Sequence, residues 1–110
     1  MSWQHQQLAQ GRWQELSFFE QMANIGSEVG RAINWRQKGG EDYASRAFER
    51  ALELFDLTAM DNKNKPRLKE ILRAREIFAD YFVGGNHYGS TDKQWQNYFL
   101  AFNLAARGNL

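Results

Sequence analysis

Two capping boxes constrain this chain more than any other feature. Ser17-Phe-Phe-Glu20 and Thr91-Asp-Lys-Gln94 each place a hydroxyl three residues before a Glu or Gln. That pairing satisfies two orphan N–H groups at a helix start, so helices are predicted to open at about Phe18 and just after Thr91. The first runs to about Lys38 and stops at Gly39-Gly40, which supply a left-handed cap. A second opens near Glu41-Asp42, whose carboxylates suit a positive helix N-terminus. Its apolar stripe is Ala44, Ala47, Phe48, Ala51, Leu52, Phe55 and Thr58. Asp61-Asn-Lys-Asn64 reads as a polar turn, and Pro66 fits the first turn of a third helix that ends at Gly84-Gly85. The last helix carries Trp95, Phe99, Phe102 and Ala106 on one face and stops at Gly108.

Four helices of similar length on short connections predict an all-α fold, an up-down-up-down four-helix bundle over residues 17–110. Residues 1–16 are expected to form an N-terminal arm, with Trp3 and Trp13 docking on the bundle or on another subunit, and residues 2–10 read as a short helix. No segment alternates with a two-residue period, so no strand is expected.

Composition narrows the function classes. The 110 residues carry a net charge of +1, which gives no bulk reason to expect nucleic acid or an anionic membrane. The absence of cysteine removes disulfides, thiolate zinc sites and cysteine nucleophiles, and fits a reducing compartment. The first residues lack the basic start and apolar run of a signal peptide, and no apolar stretch approaches a bilayer's thickness. The expectation is a cytoplasmic protein without a membrane partner. His5 and His87 fall in the arm and a loop, neither within a Glu-x-x-His pair, and no phosphate-binding glycine loop is present. No catalytic residue, metal or cofactor is therefore assigned.

The residue that stands out is Arg75. On a helical wheel Leu68, Ile71, Leu72, Phe78, Ala79 and Phe82 fall within roughly 60° of it, which places a guanidinium inside an apolar stripe. Such a group needs a partner, because an unpaired buried charge costs several kcal/mol. Asp56 at the edge of the second helix's stripe and Asn103 on the stripe of the fourth are the candidate partners, in a polar cluster around Arg75. The alternatives for that arginine are a subunit contact or an anion pocket.

On the first helix Asn24, Glu28, Arg31 and Trp35 share one face, and Phe19, Met22, Gly26, Val29 and Ile33 the other. Glu28 and Arg31 read as an exposed pair. Trp35 among polar neighbours is a candidate contact for a protein partner, the alternative being burial under the N-terminal arm. Gly26 and Gly30 each cost about 1 kcal/mol relative to alanine, so a close approach of another helix is expected at them, the alternative being room for a ligand.

Charge is uneven along the chain. Residues 41–61 balance to −4 and residues 62–83 to +3, which favours the second and third helices as neighbours. The basic run Lys63, Lys65, Arg67, Lys69 and Arg73 is the place where phosphate would be met.

Two stretches, Phe19-Glu-Gln-Met-Ala-Asn-Ile-Gly-Ser-Glu-Val-Gly-Arg-Ala-Ile-Asn-Trp35 and Phe48-Glu-Arg-Ala-Leu-Glu-Leu-Phe-Asp-Leu-Thr58, are similar to a family of short uncharacterised helical proteins of bacteria and archaea. That resemblance implies no activity. Arg75-Glu-Ile-Phe-Ala-Asp80-Tyr81 more distantly resembles HEPN domains, helical bundles of nucleotide- and RNA-handling systems. Their ribonuclease members follow the arginine with a histidine; here Asp80 stands in its place. The resemblance thus implies a degenerate module that binds RNA or nucleotide phosphate without cleaving it. The leading expectation is a non-catalytic protein-interaction module that forms a homodimer or other homo-oligomer.

Overall fold

The computed structural model describes residues 11–108. Trp3, His5 and the short helix expected over 2–10 lie outside the described residues. Both capping boxes form. Ser17 Oγ accepts from the Glu20 N–H while Glu20 accepts from the Ser17 N–H, and α1 follows over Phe18–Gln37. Thr91 and Gln94 do the same for the last helix, α4, Asp92–Ala106. Each cap contributes on the order of 1 kcal/mol. Between them lie α2, Glu41–Met60, and α3, Leu68–Phe82. Gly39, at φ 82, makes the left-handed turn between α1 and α2. Every regular element among the described residues is helical, and none is long and apolar enough to cross a membrane.

The α1–α2 pair is the centre of the molecule. α4 packs on α1, α3 packs on α2, and α3 and α4 meet mainly through aromatic side chains. Met22, Ile25, Val29, Ile33, Ala51, Phe55, Ile71 and Phe78 are all but sealed from solvent. The stripe expected for α2 is buried as read, with Leu52 half-buried. On α1 Met22, Val29 and Ile33 are buried as expected, but the buried face is wider and shifted at its start: Phe18, Gln21 and Ile25 also point inward and Phe19 is exposed.

The third helix begins later than expected. Residues Asn62–Arg67, Pro66 included, form a 3₁₀ turn, and α3 starts at Leu68. The expected polar turn is in part interior: Asp61 and Asn64 are buried. The reason is Gln21, which α1 sends into the core. Its amide donates to the Trp13 carbonyl and to Asp61 Oδ2, each at 2.9 Å, and its Oε1 accepts from Asn64 Nδ2 at 2.8 Å. Asn64 also donates to the Thr58 carbonyl, and Trp13 Nε1 donates to Thr58 Oγ1 at 2.8 Å. Trp13 is thereby buried on the α1–α2 pair. Lys63 closes the network from outside: its ammonium contacts Asp61 and donates to the Gln14 carbonyl.

The opposite end is held by Arg36. Its guanidinium lies 4.1 Å from the Phe82 ring centre and 4.8 Å from that of Tyr81. It donates to the Phe82 carbonyl at 3.1 Å and stands 3.8 Å from Asp92. One side chain of α1 thus caps the end of α3 and meets the start of α4.

Burial acts to raise the Asp61 pKa, but hydrogen bonds from Lys63 and Gln21 and the Lys63 charge outweigh it and hold it below the ordinary carboxylate range. A carboxyl whose folded pKa is depressed stabilises the fold fully above its unfolded value, about 3.9. That contribution fades as pH falls through the lower folded value. Asp61→Asn is expected to cost about 1–3 kcal/mol at neutral pH and to weaken the loss of stability below about pH 4. Urea titrations by circular dichroism at pH 7 and pH 3 check this; equal losses in both proteins on acidification would contradict it.

Candidate functional site

Arg75 is on the rim of the α2–α3 contact, not at the centre of a stripe. Ile71, Ala74 and Phe78 form the buried face of α3, while Leu68 and Leu72 are exposed. Counting those two leucines as core is what places Arg75 at the centre of a wheel. Its partner is Asp56: Nε stands 2.8 Å from Oδ1, with the N–H off line, and Nη2 donates to Oδ2 at 3.3 Å. The side chains are 34% and 49% exposed, so this is a forked surface pair worth at most about 1 kcal/mol. Asn103 does not join it. Asn103 is exposed on α4, on the wall of a groove that α4 makes with α1. The polar cluster expected around Arg75 therefore reduces to Arg75 and Asp56. Arg75→Met is expected to change stability by no more than about 1 kcal/mol, measured by urea denaturation. A loss above about 3 kcal/mol would mark the arginine as a buried structural charge instead.

Trp35 is exposed, as expected, but one face of its ring is covered. It stacks on Tyr43 with ring centres 4.5 Å apart, and Lys38 lies over it at 5.6 Å. A Cβ on Gly40 would stand 2.7 Å from its ring, so the glycine is what lets the indole fold over the α1–α2 turn. Glu28 and Arg31 form the expected pair at 3.2 Å, with Arg31 exposed and Glu28 mostly covered.

Two of the five residues of the basic run are engaged within the chain, while Lys65, Lys69 and Arg73 are exposed and pair with no carboxylate among the described residues. Lys63 is tied to Asp61, and Arg67 lies over the Phe18 ring at 4.5 Å and 3.9 Å from Glu70. Asp80, which stands where the HEPN resemblance would put a histidine, organises the loop after α3. It accepts the backbone N–H groups of His87 and Tyr88 at 2.9 and 3.1 Å, and the His87 ring lies 3.2 Å away. Those bonds, the His87 N–H foremost, hold its carboxyl below the ordinary range.

The two interior glycines of α1 differ. A Cβ on Gly26 would stand 2.7 Å from Phe99 Cβ, whereas one on Gly30 would meet nothing within 4 Å. Gly26 is therefore required by the close approach of α4, and Gly30 lies open in the α1–α4 groove. That groove, about 250 Å³, is lined by Ala23, Ser27 and Gly30 of α1 and by Gln96, Leu100 and Asn103 of α4. Gly30→Ala is expected to stabilise the monomer by about 0.5–1 kcal/mol, and Gly26→Ala to destabilise it by about 1–3 kcal/mol through overpacking against Phe99. Thermal melts of the two variants decide it, and the same sign for both would refute the distinction.

A second concavity, about 440 Å³, separates α3 from α4. Ala74, Ile77, Trp95 and Tyr98 line it, and Glu70, Arg73, Ser90 and Gln94 edge it. Tyr98 donates to Glu70 at 3.2 Å; burial, then the Glu70 charge and this hydrogen bond, push its phenol far above the ordinary value. Neither groove follows from helical periodicity, since each depends on how far apart two helices stand. No family model matches this chain, and no curated protein or solved structure does.

Proposed function

We propose that the protein is a non-catalytic interaction module, an antiparallel four-helix bundle that pairs with a second copy through its α1–α4 face. The observation that carries this reading is a knob and a hole on one surface. Leu100 is 51% exposed beside the groove, and the groove floor at Gly30 has room for a side chain. Leu104, one turn beyond Leu100, and Phe19, one turn before Ala23, extend the exposed apolar surface. A surface that bears both members of a complementary pair can close on itself about a two-fold axis, with Leu100 of each copy over Gly30 of the other. An interior glycine with nothing packed on it has a clear use in such a contact, since its cost in the monomer is offset by close approach in the pair.

Polar Gln96 and Asn103 at the groove's edge suit an interface that also tolerates water in the separated state. The HEPN-like alternative, RNA or nucleotide phosphate bound at Arg75 and the basic run, has less support. Asp56 already occupies that guanidinium, and Lys63 and Arg67 are engaged within the chain. A cytoplasmic setting accords with the cysteine-free composition.

Sedimentation equilibrium and light scattering over a range of protein concentrations test the pairing. The wild type is expected to dimerise, and Gly30→Leu and Leu100→Glu each to weaken dimerisation at least about tenfold while keeping wild-type helix content. A wild type that remains monomeric at all concentrations, or variants that dimerise unchanged, would remove this reading. RNA binding at low salt that Arg75→Met abolishes would favour the alternative.

A further inference from the structure

The α3–α4 cleft is a different surface from the proposed pairing face, and its chemistry is of another kind. Its volume, about 440 Å³, falls in the range of small-molecule sites. It is also built before any ligand arrives. Trp95 and Tyr98 are edge-to-face at 5.8 Å, and Trp95 is edge-to-face with Phe78 at 5.3 Å. The Tyr98–Glu70 hydrogen bond ties the two walls together at one end. These contacts hold Ala74 and Ile77 apart from the aromatic wall, so the cleft does not collapse to fill itself.

The charges at its edge are unequal in availability. Glu70 is engaged twice, accepting the Tyr98 hydroxyl and standing 3.9 Å from Arg67. Arg73 is exposed, and among the described residues no carboxylate stands within ion-pair distance of it. The edge therefore presents one uncommitted cation beside an apolar trough. Two buried donors at the same helix–helix contact, Trp95 Nε1 and the Tyr81 hydroxyl, have no acceptor among the described residues. Buried donors are ordinarily satisfied, and their concentration here sets this contact apart from the α1–α2 core.

We propose that the α3–α4 cleft binds a small amphiphilic carboxylate, its aliphatic or aromatic body between Ile77 and Trp95 and its carboxylate on Arg73. The apolar body is recognised by burial against the aromatic wall. The acid is recognised by the planar guanidinium, whose fork of donors matches a carboxylate.

The test is an NMR titration of the ¹⁵N-labelled full chain with octanoate, and with octan-1-ol as its neutral counterpart. Octanoate is expected to shift the amides of Ala74 and Ile77 and the indole N–H of Trp95, with saturation, and to bind more tightly than the alcohol. Arg73→Gln, at an exposed position, is expected to weaken octanoate about tenfold and to leave octan-1-ol unchanged. Ala74→Leu, which fills the trough, is expected to weaken both, with the unliganded spectrum reporting whether its fold is retained. Three results would overturn the proposal: no saturable shift with octanoate, shifts confined to the Gly30 groove, or equal binding of acid and alcohol with no effect of Arg73→Gln. None of these bears on dimerisation, so the pairing and the ligand site stand or fall separately.

Discussion

Gln21 is the side chain on which the rest of the architecture depends. A fully buried amide must find partners for both of its ends, and here its partners come from three places in the chain: Trp13, Asp61 and Asn64. Because the NH₂ is used on two acceptors and the oxygen on a donor, only one arrangement of those segments satisfies it. The exit of α2, the 3₁₀ turn and the segment before α1 are thus specified together. An apolar residue at position 21 would fill the same volume without saying where any of the three should go.

Helix starts were legible because a cap is local: Ser17 with Glu20 and Thr91 with Gln94 lie three residues apart and need no other part of the protein. The face of α2 was legible for the same reason, since its stripe repeats with the helical period. The 3₁₀ turn over Asn62–Arg67 was not, because Asn64 looks like a turn residue until Gln21, 43 positions earlier, is placed beside it. Arg75 lies off the buried face of α3 together with its leucine neighbours. Leu68 and Leu72 count as core on a wheel, yet α3 is covered by α2 on one side only, and they lie beyond that cover. Asp56 as its partner could be named because it sat at a stripe edge. Asn103 could not be excluded without knowing that α4 lies against α1.

The two glycines of α1 show how one spacing serves two ends. Gly26 and Gly30 are a turn apart and look equivalent in sequence, but the helix that crosses at Phe99 covers only the first. The trough between α3 and α4 has a similar origin. Each of these helices is seated on a different member of the central pair, and the large rings of Trp95 and Tyr98 bridge the distance that backbone packing leaves open.

Seating the outer helices on separate inner partners also has a mechanical consequence. Stress applied to α4 passes mainly through α1 before it reaches α3, and the direct route runs through ring edges, the Tyr98–Glu70 hydrogen bond and the Arg36 guanidinium. The Arg36 contact with Asp92 is long and half-exposed. Fewer contacts therefore resist a splaying of α3 from α4 than resist the displacement of either from its inner partner, and the Gln21 network braces the α1–α2 pair at one end. Backbone relaxation measurements on α1 and α2 should register little of that splaying, while Tyr98 and the residues facing it should report most. In a protein this small, such a division allows one part to change width while the remainder keeps its shape.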